Sequence, residues 1–187
     1  MVEPAALYER LTGQAWTQIA EPVRCLHRTD PIIRAGGQLR VEHGSNPLAR
    51  VLVWMLRLPR SRSAADVRLK VTARGGAENW QRTFDGRRLH TCQYESRHSE
   101  LAERFGLLEF RYGLRSSAGS LLYVQREAAF VLGQLRVRLP AMWAPRIEAR
   151  EDPAGPKEVN VNVRIVLPGL GPLITYDGVV VIEDAQA

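Results

Sequence analysis

The sequence predicts a mainly β protein: an antiparallel sheet, closed or strongly curved into a calycin-like barrel, with an N-terminal helix and a helical lid after the first strand. Three observations carry that expectation. From Asp66 almost to the end, apolar and polar residues alternate with the period of two that a half-buried strand requires. Turn-forming pairs, Gly75-Gly76 and Asp85-Gly86 foremost, punctuate the run at hairpin spacing. Helical spacing is largely confined to two segments ahead of it.

The first of these runs from Pro4 to Ala20, where Leu7, Leu11, Ala15 and Ile19 form one stripe beside Tyr8 and Trp16, weakened at Gly13. Pro22 and Pro31 then bracket an irregular stretch carrying Arg24, Cys25 and His27, and Gly36-Gly37 turns the chain into a strand from Gln38 to His43. Next, Ser45 or Asn46 can cap a helix whose first turn accepts Pro47; Pro59 ends it after about Leu58. Leu48, Val51, Leu52, Val53, Trp54, Met55 and Leu56 cover more than one of its faces, with Arg50, Arg57 and Arg60 as a fringe. That suits a core helix held between the sheet and the N-terminal helix; a lid or membrane-touching helix is the other reading.

Strands follow. Val67, Leu69, Val71 and Ala73 oppose Arg68, Lys70, Thr72 and Arg74; the Glu78 to Phe84 strand turns at Asp85-Gly86 into Arg88 to Tyr94. A short polar helical turn, Ser99 to Phe105, precedes strands at Leu108 to Leu114, Ser120 to Arg126, Ala129 to Leu139, Arg146 to Glu151, Val159 to Leu167 and Leu173 to Ile182. About ten strands, each with one apolar face, call for closure or a second sheet to remove exposed edges. The alternative is a helix-grip fold of the lipid-transfer type, which normally ends in a long helix, whereas this chain ends in a strand.

Composition narrows the function classes. The 187 residues suit a single domain, 1–187, whose core needs no disulfide. Cys25 and Cys92 are too few for a secreted scaffold, and the chain opens without a basic segment leading into an apolar one, so a cytoplasmic protein is expected. The longest apolar run, Val51 to Leu56, is far short of a membrane span. Net charge is +6, yet the cations are 24 Arg and 2 Lys dispersed over many strands, which argues against a nucleic-acid-binding stripe. His27, His43, His90 and His98 lack the spacing of a metal set, and Gly169-Leu170-Gly171-Pro172 lies between strands, so neither a metal nor a cofactor is expected.

The segment Glu78-Asn79-Trp80-Gln81-Arg82-Thr83-Phe84 is the most informative. Alternation puts Glu78, Trp80, Arg82 and Phe84 on one face. If that face is inward, the charges need cross-strand partners, a ligand head group or water, and Arg82 could hold a carboxylate or phosphate. If it is outward, a helix covers the rings and the charges are solvated. Glu148 and Tyr176 are candidate partners, and Phe110 and Tyr112 candidate lining residues.

The ordered series Leu7-Tyr8 with Leu11 and Trp16, Val23-Arg24 with His27, Gly37 with Val41 and Gly44, Leu58-Pro59, Glu78-x-Trp80-x-Arg82-x-Phe84, Glu103-Arg104-Phe105-Gly106, Leu139-Pro140 with Pro145 and Glu148, and Pro168-x-x-Gly171 with Tyr176-x-Gly178 resembles the bacterial domain-of-unknown-function family DUF4166. The resemblance spans nearly the whole chain. It implies a fold neighbourhood and no transferable activity; because some members are appended to saccharopine-dehydrogenase-like nicotinamide oxidoreductases, it also implies a metabolic partner encoded separately.

The leading expectation is a non-catalytic binding module for an apolar small molecule such as a lipid, with Glu78 and Arg82 at the polar end of a cavity of several hundred Å³ lined by Trp80, Phe84, Phe110 and Tyr112. The others are an interaction domain, whose exposed helix 47 to 58 docks an oxidoreductase or makes a homodimer, and an enzyme using Glu78 or His27 as general base.

Overall fold

A computed structural model describes residues 6–28 and 32–183. Pro4 and Pro31, singled out above, lie outside them. Eleven antiparallel strands form one continuous sheet, and pairing of β6 with β7 closes it on itself. In chain order the strands are β1 (Ile32–His43), β2 (Arg62–Arg74), β3 (Ala77–Phe84), β4 (Arg87–Glu95), β5 (Leu101–Phe105), β6 (Leu108–Ser117), β7 (Ser120–Leu132), β8 (Leu135–Arg138), β9 (Arg146–Gly155), β10 (Glu158–Leu167) and β11 (Gly171–Ile182). Ten make the ring: β1 to β7 run consecutively, β7 pairs with β9, and β9, β10 and β11 return to β1, with β8 a short flap on the end of β7. The fold is thus a closed barrel consistent with the calycin-like expectation, and the helix-grip alternative fails because the sheet has no open face for a helix to cross.

Several elements differ from expectation, each for a local reason. The N-terminal helix is broken into α1 (Leu7–Thr12) and a 3-10 segment, Gly13–Gln18, where Gly13 takes a φ of 55°. The stretch read as irregular is a helix, α2 (Glu21–Leu26), since Pro22 occupies a first turn in which its missing N–H is no loss. Gly36-Gly37 is threaded through β1 instead of turning. The polar segment read as helical is β5, whose Glu103 has a polar partner to face in the barrel. Ala129 to Leu139 is two strands split at Gly133, φ 59°.

The two helical regions stop opposite ends of the barrel. At one end α1 and α2 insert Tyr8, Val23, Leu26 and His27, all fully buried, and Ala20 N–H bonds the Gly119 carbonyl at 2.8 Å. At the other lies α3 (Pro47–Met55), capped by the Asn46 side chain, which accepts from Leu48 N at 2.9 Å. It ends earlier than expected, at Met55, where Arg57 takes a φ of 52° and Leu58 folds back to bond the Val53 carbonyl. Among the described residues no second helix covers it: Ala49 and Val53 face the barrel, while Trp54 is 76% exposed. The core is the barrel interior and its two stoppers.

Candidate functional site

Strand β3 lies between β2 and β4, and its inward set is Glu78, Trp80, Arg82 and Phe84. Register then selects their neighbours. Trp80 is opposite Thr91, Glu78 opposite Gln93, and Gln93 in turn opposite Glu103 on β5. The Arg82 guanidinium leans over the Trp80 ring at 4.9 Å, donates to Thr91 Oγ1 at 3.0 Å and lies 3.7 Å from Glu103. Glu103 also accepts from Gln93 Nε2 at 3.2 Å. These partners offset part of the cost of holding a charged guanidinium in an apolar interior.

Around this group lies a cavity of about 160 Å³. Towards α3 its wall is apolar, including Leu58, Phe84, Phe110, Ile147, Ile165 and Leu173; Arg82, Glu103 and Thr91 stand deeper, and Tyr112, Tyr123 and Tyr176 share the lining. The expected lining residues Trp80, Phe84, Phe110 and Tyr112 are all present, but the volume is smaller than expected. Large side chains fill much of the interior, and Tyr8 and His27 plug its α1–α2 end. The Tyr112 hydroxyl is buried and has no hydrogen-bond partner among the described residues. Burial keeps the Tyr112 phenol well above its ordinary pKa, so it is available as a donor.

At the α1–α2 end of the cavity a second polar layer, of which Gln93, Tyr123 and Glu151 also line the cavity, joins barrel to stopper. His27 Nε2 lies 2.6 Å from Glu151 Oε2, and Tyr123 donates to Glu151 Oε1 at 3.0 Å. Tyr8 donates to Gln93 Oε1 at 2.7 Å and stacks on the His27 ring at 3.7 Å. Glu78 accepts from Trp80 Nε1 at 2.9 Å. Burial raises its carboxyl above the usual range, outweighing the opposing pull of His27 and of the Trp80 N–H.

Of the residues singled out from sequence, Trp80, Arg82, Phe84, Phe110, Tyr112 and Tyr176 come together on the cavity wall. Glu78 and His27 lie behind it, in the second layer. Glu148 does not join them: it points outward on β9, 70% exposed, 3.8 Å from Arg164. Its inward neighbours are Ile147, Ala149 and Glu151; the carboxylate beside Arg82 is Glu103 on β5, and Glu151, on the opposite face of β9 from Glu148, pairs with His27. Thr91, Gln93 and Glu103 were also missed. Among the described residues no three His, Cys, Asp or Glu side chains are grouped to hold a metal, and no helix is long and apolar enough to cross a membrane.

No curated protein and no solved structure matches the chain. The family described as domain of unknown function (DUF4166) matches residues 19–180, a span that includes all but the last two residues of the ring's ten strands and every polar group on the cavity wall. With most of its length accounted for in this way, the chain belongs to the DUF4166 family.

Proposed function

We propose that the barrel is a non-catalytic binding module for a small, mostly apolar molecule that carries an acceptor oxygen at one end. The observation that supports this is the Arg82 guanidinium, which lines the cavity with one hydrogen bond used of the five it offers, beside Tyr112, a lining residue whose buried hydroxyl has no partner among the described residues. A carbonyl or carboxylate there would satisfy both, with the apolar remainder directed at Phe84, Phe110 and α3. The volume resembles that of an apolar cavity of ~150 Å³ that takes up benzene. A short chain or single ring fits without rearrangement; a longer acyl chain requires Leu56 and Leu58, which line the α3 end, to move. Catalysis by Glu78 or His27 has no support in this geometry, since neither reaches the cavity and both are engaged by other side chains.

Native mass spectrometry of protein purified from its own host, followed by denaturing extraction, is the first test, and a co-purifying small apolar compound is the expected result. In parallel, octanoate and octanol are titrated while the melting temperature is followed. Val163→Phe, which fills the cavity from β10, is expected to keep or raise the melting temperature and lose the response to both probes. Tyr112→Phe removes an unsatisfied donor, so its stability should hold while binding weakens about threefold to tenfold. An empty protein that neither probe stabilises would end this reading.

A further inference from the structure

Most of the large apolar side chains exposed on this protein stand at one end of the barrel, the end that α3 covers; among the described residues only Ile32, Val179 and Val181 stand elsewhere. The register defines that end: β1 leaves it for α3, β3 and β4 turn there, and β9 starts from it. Along α3 the outward face is Leu48, Val51, Trp54 and Met55, where a helix on a soluble surface would carry polar residues. Met142 and Trp143 stand out from the β8–β9 connection, the latter 71% exposed. Leu107 and Leu135 add to the patch from two hairpins.

The two segments that supply most of this patch carry charge of one sign. Residues 44–61 contain three arginines and no Asp or Glu, and residues 132–146 again contain three arginines and no Asp or Glu. Arg50, Arg57, Arg60 and Arg146 are exposed and make no ion pair among the described residues. Asp85, in the β3–β4 turn at the same end, lies 3.7 Å from Arg62.

From this arrangement we infer that the α3 end of the barrel docks on the surface of a bilayer containing anionic phospholipid. Tryptophans suit the interface, with an apolar ring in the acyl boundary and an N–H among the headgroups. The aliphatic side chains of α3 enter the same layer, and the arginine fringe meets lipid phosphate. Charge decides against a second copy as occupant. A twofold contact through this face would set the arginine fringe against itself, with no carboxylate in those segments to compensate. The inference stands on the outer surface and does not depend on what the cavity holds. If both hold, the α3 end of the cavity faces the phase from which a lipophilic molecule would be taken.

Flotation with vesicles of phosphatidylcholine, alone or mixed with phosphatidylglycerol, tests it on the intact protein. Binding is expected on the mixed vesicles, about tenfold weaker on phosphatidylcholine alone, and weakened by salt. Trp54→Ser with Trp143→Ser should abolish it, and Arg50→Gln with Arg57→Gln and Arg60→Gln should remove the preference for anionic lipid; all five side chains are exposed, and circular dichroism checks the fold. Brominated lipid read on the wild type needs no variant, and quenching of its tryptophan emission is expected. Absence of flotation and quenching, or flotation unchanged in the tryptophan variant, would overturn the inference. So would light scattering showing a dimer that the tryptophan variant converts to monomer, which would assign the face to a second copy.

Discussion

The Glu78 carboxyl is buried against Trp80 and holds its proton more tightly in the folded protein than in the unfolded chain, because burial penalises the anion more than His27 and the indole N–H favour it. A raised carboxylate pKa contributes its full stability below the unfolded value of about 4.3, where both states are protonated, and that stability is lost as pH rises through the folded value. Glu78→Gln keeps an acceptor for Trp80 and removes the titration. Its melting temperature relative to wild type should therefore rise between about pH 4 and pH 8; a constant difference would show that the wild-type carboxyl is not perturbed. The sequence put Glu78, Trp80, Arg82 and Phe84 on one face through alternation alone, but it could not say which face, since two rings and two charges argue in opposite directions. Glu103 was hidden for a related reason: a strand whose inward position is a carboxylate has no apolar alternation to reveal it.

Adjacent glycines of one strand serve very different purposes, as β1 shows. A Cβ on Gly37 would lie 2.1 Å from the Val179 carbonyl oxygen across the β1–β11 ladder, whereas one on Gly36 would meet nothing nearer than the Val67 oxygen at 3.6 Å. On the facing strand Gly178 has a φ of 148° and the Gln38 oxygen 2.5 Å from its would-be Cβ, so the two backbones approach more closely than side chains permit. Gly37→Ala should thus cost well over about 1 kcal/mol or yield insoluble protein, while Gly36→Ala stays within about 0.5 kcal/mol, as chemical denaturation would measure. Equal effects would mean that the close approach is not what this glycine serves. The pair was legible in the sequence as punctuation, and taken for a turn, because a glycine pair marks a turn and a crowded strand crossing alike. By contrast Asp85-Gly86, where positive φ at both residues is the only demand, was read correctly from two letters.

Closure is the property of the whole molecule that alternation could suggest but not locate. It requires β7 to leave β6 on one side and meet β9 on the other, a pairing of two strands that no hairpin turn joins directly. That seam has four paired positions, Leu121 to Val124 against Glu151 to Glu148, where β10 and β11 pair along almost their full length. Side chains extend it in both directions. Beyond Leu121, Ser120 bonds Asp152, and Arg150 reaches both of them. Beyond Val124 the backbones part, and the Gln125 amide spans the gap, donating to the Pro145 carbonyl at 2.8 Å and accepting from Ile147 N at 2.6 Å. One side chain thus replaces a missing rung on each side of its own carboxamide. Gln125→Leu keeps most of the volume and leaves both backbone groups unsatisfied, so it should cost about 1–3 kcal/mol. Hydrogen exchange should then quicken in peptides covering residues 120–125 and 145–151 while those of β10 and β11 keep their protection. If the loss of protection spread evenly round the barrel, the seam would not open as a separate unit; if none occurred, backbone pairing alone would suffice to close the ring.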